Sequence, residues 1–168
     1  MTEETKQLLG LDEIFAVAVQ MEASAAAYYR RAAQLQREHR HAHFLERLAS
    51  TEEGHQRIFE RFRSMAAASR RGAGEPELRP EGAVVQATIA AGLAVEGSGA
   101  AREALTGEET LAEILDEAVG LERAAVQLYT DLRLILTREE DRQVLAGIIS
   151  EEQDHADALA AQRDALES

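Results

Sequence analysis

The chain contains no cysteine and no tryptophan, has only two prolines among its 168 residues, and is only 4% aromatic. The missing cysteine excludes disulfides, thiolate metal sites and iron–sulfur clusters on this chain, and it is compatible with a reducing compartment. Basic residues are outnumbered, giving a formal net charge of -13. Because phosphate binding needs a basic surface, we do not expect a nucleic-acid partner.

Long hydrophobic runs are also missing. The longest apolar stretch lies around 83–95 and is too short and too polar to span a bilayer. The opening "MTEETKQLLGLDE" lacks the basic start and apolar core of a signal peptide. We therefore expect a cytoplasmic protein with no membrane partner, folded as a single domain over 1–168.

The residues that dominate are Ala, Leu, Glu, Arg and Gln, which are strong helix formers and favour an all-helical protein over a β-sandwich or barrel. Four segments have helical periodicity: 8–38, 40–70, 108–136 and 138–165. Helix breakers concentrate at 70–82, and 83–96 reads as a short amphipathic helix within a long connection. The other connections are tight, and Thr137 with Glu140 has the spacing of a capping box. Short, long and short connections predict a four-helix bundle with one long crossover.

The two halves of the chain repeat one another at an offset of one hundred residues. The segment "LDEIFAVAVQMEASAAAYY" at 11–29 aligns with "LAEILDEAVGLERAAVQLY" at 111–129. Identical pairs include Leu11/Leu111, Glu13/Glu113, Ile14/Ile114, Ala18/Ala118, Glu22/Glu122, Tyr29/Tyr129, Leu45/Leu145, Ser50/Ser150, Glu52/Glu152 and His55/His155. Two such hairpins facing each other predict a pseudo-twofold bundle, in which a site on the axis receives matched ligands from each half.

Acidic residues and imidazoles interrupt the apolar seam of each predicted helix at mid-length. Glu52 and His55 lie three residues apart, so both can reach one metal from the same helix face. Buried carboxylates without partners cost roughly several kcal/mol each. Two histidines cannot neutralise four glutamates, whereas a pair of multivalent cations can. The repeat therefore predicts a dinuclear metal site, and ligands without thiolate suit iron or manganese better than structural zinc. The predicted ligands are Glu22, Glu52, His55, Glu122, Glu152 and His155.

Other polar and aromatic residues lie near the seam or at the first tight turn. Glu53 and Glu151 point off the seam, so we expect them to be solvated, although either can support a ligand from outside. Tyr29 and Tyr129 follow the seam glutamates by two turns. They are candidates for hydrogen bonds to those glutamates or for a catalytic place near a reactive oxygen species; ordinary core packing is the alternative. The histidines of "HRHAHF", His39, His41 and His43, are expected on the surface at the first tight turn.

At these motifs the sequence resembles the rubrerythrin and bacterioferritin branch of the ferritin-like superfamily. The resemblance covers the four predicted helices and is carried by Glu22 with Tyr29, "TEEGH", Glu122 and "SEEQDH". Its ligand pattern, a Glu from each of two helices and Glu-x-x-His from each of the others, is that of ferritin-like di-iron and di-manganese proteins. The resemblance implies the same six metal ligands and di-iron chemistry with dioxygen or hydrogen peroxide.

The chain departs from that family in three respects. Without cysteine the chain has no rubredoxin iron site, so the resemblance implies that electrons come from another protein or from ferrous iron itself. Rubrerythrins often carry a second glutamate one turn after the third-helix ligand, where this chain has Ala125, which favours a fixed and symmetric ligand set. Bacterioferritins bind haem through a methionine where this chain has Glu53, so haem is not expected.

The sequence thus favours a non-haem di-iron oxidoreductase that reduces hydrogen peroxide or dioxygen, served by an external electron donor protein. We expect a homodimer or larger homo-oligomer. Manganese or a mixed metal pair stays open, as do two other functions: a ferroxidase that stores or delivers iron, and a bundle that the metal only stabilises. The helix at 83–96 either caps the bundle or forms a dimer interface.

Overall fold

The computed structural model describes residues 11–72, 105–136 and 138–166, which form four α-helices. These are α1 (Leu11–Leu35), α2 (His39–Gly72), α3 (Leu111–Ile135) and α4 (Glu139–Leu166). Helix α1 packs along α2 and α3 packs along α4, so the chain forms two hairpins, and α1 also contacts α3. The described ranges contain no strand. The predicted all-helical fold is confirmed, and the two hairpins are consistent with a four-helix bundle.

Two of the predicted helix ends differ from the observed ones for identifiable reasons. Helix α1 ends at Leu35 rather than at 38, and the backbone amides of His41 and Ala42 start the next helix by bonding to the carbonyl of Glu38. Helix α3 begins at 111 rather than at 108 because Thr110 caps it. The Thr110 hydroxyl accepts from the Glu113 amide at 3.3 Å, and the Glu113 carboxylate accepts from the Thr110 amide at 2.7 Å.

Two expected features lie outside the described residues: the crossover helix at 83–96 and the capping box that begins with Thr137. Within the described ranges, no helix is both long and apolar enough to cross a membrane.

The core is divided into two apolar layers by the seam glutamates. The first, called the aromatic layer here, consists of Ile14, Phe15, Ala18, Phe59, Phe62, Ala125, Tyr129, Leu132, Leu136, Leu145 and Ile148. The second, called the aliphatic layer, consists of Tyr29, Ala32, Ala33, Leu45, Leu48, Ala49, Ile114, Leu115, Ala118, Val119 and Leu159. Each helix supplies one layer from the turns before its glutamate and the other from the turns after it. The carboxylates therefore lie between two apolar slabs.

The repeat in the sequence relates these layers to each other. Ile14 lies in the aromatic layer and its counterpart Ile114 in the aliphatic layer. For the second pair, Leu45 lies in the aliphatic layer and its counterpart Leu145 in the aromatic layer. All four side chains are essentially inaccessible to solvent. The two hairpins therefore exchange equivalent core positions, as a pseudo-twofold axis through the glutamate layer requires.

Candidate metal centre

All six predicted ligand side chains converge between the two apolar layers. Five of them are buried and the sixth, His155, is partly buried. The buried five are Glu22, Glu52, His55, Glu122 and Glu152. Helices α1 and α3 each contribute one glutamate at mid-length, and α2 and α4 each contribute a glutamate and a histidine one turn apart.

One half of the cluster is organised around Nδ1 of His55. This nitrogen lies 2.8 Å from Oε1 of Glu152 and 3.2 Å from Oε2 of Glu52. Oε2 of Glu22 lies 3.9 Å away. Three carboxylates from three helices thus face a single ring nitrogen.

The other half repeats this geometry around Nδ1 of His155. Its distances are 3.2 Å to Oε2 of Glu152, 3.3 Å to Oε1 of Glu52 and 4.0 Å to Oε2 of Glu122. The two imidazole rings are stacked, with centroids 6.2 Å apart and planes inclined by 27°. The pseudo-twofold relation of the sequence therefore extends to single atoms of the cluster.

The donor atoms form two overlapping groups, in each of which they lie within 4.8 Å of one another. One group is Glu22, Glu52, His55 and Glu152; the other is Glu52, Glu122, Glu152 and His155. Glu52 and Glu152 belong to both groups, whereas Glu22 and Glu122 each belong to one. Each group can hold a metal ion, and the two carboxylates from the Glu-x-x-His motifs are the ones that a pair of ions can share.

The hydrogen bonding inside the cluster fits a cation better than it fits the side chains alone. A ring nitrogen carries one hydrogen at most, so His55 cannot satisfy three carboxylates through Nδ1. Oε1 of Glu52 and Oε1 of Glu152 are buried without a well-directed hydrogen bond, although a histidine nitrogen lies 3.3 Å from the first and 2.8 Å from the second. Such oxygens are costly in a protein interior, and metal coordination is one way to satisfy them.

The two tyrosines connect the hairpins at the edges of the cluster. The hydroxyl of Tyr29 donates to Oε1 of Glu122, and the hydroxyl of Tyr129 donates to Oε1 of Glu22. Of the three roles considered for these tyrosines, the structure shows the hydrogen bond to a glutamate. In both glutamates the bond occupies Oε1 and leaves Oε2 directed toward the histidines. Burial, then the charge of the adjacent glutamate, raises the pKa of each tyrosine well above its usual value, so both remain donors at neutral pH.

The environment keeps the two unshared glutamates protonated when protons are the only cations present. Burial raises the pKa of Glu22 to about 10, with repulsion from Glu152 as the next cause. Burial also raises the pKa of Glu122 to about 9, helped by its hydrogen bond with Glu152. Both groups are therefore neutral acids at pH 7 in the absence of metal.

The shared glutamates and the histidines are instead kept in their charged forms. Burial alone would raise the pKa of Glu152, but hydrogen bonds from His155 and His55 outweigh it and lower the pKa to about 2. The pKa of Glu52 is lowered for the same reason. Burial opposes charge on the histidines, yet the bonds to Glu152 and Glu52 raise the pKa of His55 to about 11 and that of His155 to about 10. Two anions thus face two cations.

This charge balance corrects part of the electrostatic reasoning from the sequence. Two histidines do suffice, because protonation of Glu22 and Glu122 removes the other two negative charges. Metal ions must therefore displace protons from this cluster rather than neutralise bare charge, and metal binding and deprotonation are coupled.

The sequence left open whether Glu151 supports a ligand from outside, and the structure shows it in contact with one of them. Glu151 is exposed, as expected off the seam, yet its Oε2 lies 3.0 Å from Nε2 of His55 on the opposite hairpin. Both residues line a pocket of about 370 Å³ between α2 and α4, together with Thr51, Gly54, Ile58, Val144, Gly147 and Ile148. Helical periodicity describes faces within one helix and says little about which exposed side chain reaches across to another. Glu53, by contrast, pairs with Arg30 at the surface.

The histidines of the first turn take no part in the cluster. His39 and His43 are exposed, as expected. The prediction was wrong for His41, which is buried and lies 3.3 Å from Oε2 of Glu38.

Comparisons of this chain with protein-family models, with curated proteins and with solved structures found no match. The resemblance carried by the motifs therefore stays a prediction. Ala125, the position that departs from the rubrerythrin pattern, is buried in the aromatic layer and supplies no ligand atom.

Proposed function

We propose that this protein is a non-haem di-iron oxidoreductase of the rubrerythrin type, which reduces hydrogen peroxide or dioxygen at a carboxylate-bridged pair of iron ions. The observation that carries the proposal is the overlap of two four-residue donor groups through Glu52 and Glu152. Carboxylate and imidazole donors are typical of redox-active iron and manganese sites.

A bound ferrous pair would supply two electrons, which together with two protons suffice to convert one hydrogen peroxide into two water molecules. The side chains of the protein perform the remaining tasks. Glu52 and Glu152 would hold both ions, while Tyr29 and Tyr129 restrain the unshared glutamates. The apolar layers exclude bulk water from either side of the carboxylates, which strengthens their electrostatic interactions. The pocket between α2 and α4 is lined by His55, one of the six donors, so we expect peroxide or dioxygen to approach the cluster from this side.

The proposal is tested by loading the protein anaerobically with two equivalents of Fe(II) per chain and adding one equivalent of hydrogen peroxide. We expect the ferrous iron to be oxidised, the near-ultraviolet absorbance of protein-bound ferric iron to appear and the peroxide to be consumed in the same step. Glu52→Gln keeps the size of a shared ligand and removes its charge, so it should abolish the reaction. Glu53→Gln is the matched control, because Glu53 is the next residue in α2 and contacts Arg30 instead.

Two results would contradict the proposal. Fe(II)-loaded protein that leaves peroxide unconsumed would exclude the reaction. Equal rates for Glu52→Gln and the wild type would exclude this cluster as its site. Turnover with an added reductase and its reduced electron carrier then tests whether the iron is re-reduced from outside.

A ferroxidase that takes ferrous iron as its substrate is the second candidate. It is favoured by the carboxylate of Glu151 at the pocket beside His55, since an acidic opening admits a cation as readily as a neutral peroxide. Iron content separates the two functions. A storage protein retains many irons per chain in a large particle after repeated additions of Fe(II), whereas the proposed oxidoreductase retains two.

A further inference from the structure

The two halves of the cluster match atom for atom around Nδ1 of each histidine, but they differ at Nε2. On one side Nε2 of His55 meets Oε2 of Glu151 at 3.0 Å. The residue equivalent to Glu151 by the hundred-residue repeat is Thr51, whose hydroxyl donates to the carbonyl of Arg47 at 3.2 Å. Among residues 11–72, 105–136 and 138–166, no carboxylate pairs with Nε2 of His155.

Burial differs in the same direction. The side chain of His55 is 4% exposed, whereas that of His155 is 16% exposed. The pocket between α2 and α4 reaches His55, and Glu151 lies in its wall. The carboxylate therefore covers the outer edge of one imidazole, while the outer edge of the other is more open to water.

A carboxylate on the outer nitrogen of a metal-binding histidine has a known physical effect. It accepts the Nε2 hydrogen, which fixes the tautomer with a lone pair on Nδ1, and it makes the ring more basic and less free to rotate. Loss of such a partner typically lowers metal affinity by about 10- to 100-fold. A threonine that already donates to its own helix provides no equivalent acceptor charge.

We propose that Glu151 is a positioning residue for His55 and makes the two metal positions unequal: the position formed by Glu22 and His55 binds a divalent ion more tightly and fills first. The position formed by Glu122 and His155 fills second. This inference rests on the proposed function, since it concerns the same pair of ions.

The experiment is an anaerobic titration of the metal-free protein with Co(II), followed by the visible absorbance of the bound ion. We expect two steps in the wild type, separated by about 10-fold or more in dissociation constant. Glu22→Gln removes a ligand of the first position only and should eliminate the tight step. Glu122→Gln removes the equivalent ligand of the second position only and should eliminate the weak step. This pair of variants assigns each step to a histidine.

The repeat supplies a reciprocal exchange of the positioning residue itself. Glu151→Thr gives the first half the residue of the second and should weaken the tight step by about 10- to 100-fold. Thr51→Glu gives the second half a carboxylate and should tighten the weak step. Asp154→Asn, which removes an exposed charge from the same helix, is the control and should move neither step. Because Thr51→Glu predicts a gain, misfolding of Glu151→Thr alone cannot hide the answer.

A second readout separates positioning from general stability. In the Zn(II)-loaded protein, the Nε2 hydrogen of His55 should give a proton NMR signal that exchanges slowly with water, and Glu151→Thr should remove it.

The inference is overturned by a single step with two equal sites, by unchanged steps in both exchange variants, or by tight binding that Glu22→Gln leaves intact. The proposed function survives those results if peroxide is still consumed. A protein that binds no Co(II) refutes the dinuclear site itself, and unequal sites without peroxide chemistry refute only the oxidoreductase.

Discussion

The hairpin α1–α2 and the hairpin α3–α4 are alike at the glutamate layer and differ away from it. Around each histidine the carboxylate distances agree within 0.5 Å, since 2.8, 3.2 and 3.9 Å correspond to 3.3, 3.2 and 4.0 Å. Farther along the helices, Phe59 and Phe62 stand where the second hairpin has Leu159 and Gln162. The two hairpins therefore have matching donor geometry although their core packing differs.

The difference shows what the cluster requires. An apolar slab can be filled by aromatic rings or by aliphatic chains, because many side-chain combinations reach interior packing density. A cluster in which two carboxylates serve both halves tolerates much less, because a shift of either helix moves a ligand of both groups. If the glutamate layer has a chemical function, we expect its donor atoms to match between the hairpins even where the surrounding packing differs.

The largest expected effect is a loss of metal-free stability as the pH rises. Glu22 and Glu122 move from an unfolded pKa of 4.5 to about 10 and about 9, and His55 and His155 move from 6.5 to about 11 and about 10. A group whose pKa is raised on folding stabilises the folded state at pH values below its unfolded pKa. That stabilisation is lost as the pH rises through its folded pKa. Within that window, each proton that the folded state retains and the unfolded state has lost lowers the free energy of unfolding by about 1.4 kcal/mol per pH unit. Thermal unfolding in a chelator should show melting temperatures that fall from pH 6 to pH 10.

The comparison of the hairpins sharpens this prediction. Glu22→Gln and Glu122→Gln cannot ionise, so each should flatten the pH dependence by about one proton, and by similar amounts. Glu53→Gln should leave the slope unchanged. With saturating metal the dependence should largely disappear above about pH 7, because the bound ligands retain no protons and the same groups in the unfolded chain are already deprotonated there. Metal-free stability that rises from pH 6 to pH 10 would contradict the charge balance described for the cluster.

The next largest effect concerns the layers in which the hairpins differ. Phe59 is fully buried, with its ring centroid 4.7 Å from that of Tyr129, and its counterpart Leu159 is also fully buried. Phe59→Ala should lower the free energy of unfolding by about 3–5 kcal/mol and Leu159→Ala by about 2–5 kcal/mol. Leu134→Ala is the control, since this side chain is 58% exposed and should change stability by less than about 0.5 kcal/mol. Urea unfolding measures all three, and equal small effects at both buried sites would refute the described core.

The tyrosines test whether the two halves are equal in energy as well as in geometry. Tyr29→Phe and Tyr129→Phe each leave a buried glutamate oxygen without its donor, at a cost of about 1–3 kcal/mol. The two losses should agree closely. Tyr28→Phe, which removes a partly buried bond to the carbonyl of Ile114, should cost about 0.5–1.5 kcal/mol. Urea unfolding with no loss for Tyr29→Phe or Tyr129→Phe would show that the cross-hairpin bonds do not form.

The smallest effect is expected at the surface, where the hairpins also differ. Arg30 pairs with Glu53, and the equivalent positions hold Thr130 and Gln153. Arg30→Ala should reduce the free energy of unfolding by no more than about 1 kcal/mol, and less at high salt, because exposed ion pairs contribute little. A loss above 2 kcal/mol in urea would mean that this pair supports the cluster from outside.

All six residues of the two donor groups could be predicted from the sequence because periodicity and the internal repeat act together. A seam of period 3.6 determines which side chains face inward. Two copies of Glu-x-x-His, each with a seam glutamate upstream, are unlikely to occur by chance. The start of α3 was also available in principle, since Thr110 and Glu113 have capping-box spacing.

What could not be predicted depends on the offset between the hairpins. How far one hairpin is shifted along the other determines which residues the tyrosines reach. In this structure Tyr29 bonds to Glu122, and Tyr129 bonds to Glu22. The same offset decides that Glu52 and Glu152 are the shared carboxylates. The pattern within one helix contains no information about that shift.

The central claim is that the six inward donors form one dinuclear metal site with two shared carboxylates. Crystals of the metal-loaded protein, measured at the absorption edge of the added ion, test it directly. We expect two anomalous peaks per chain, one between Glu22 and His55 and the other between Glu122 and His155, with Glu52 and Glu152 in contact with both. A single peak, no peak under saturating metal, or peaks that these two glutamates do not bridge would contradict it.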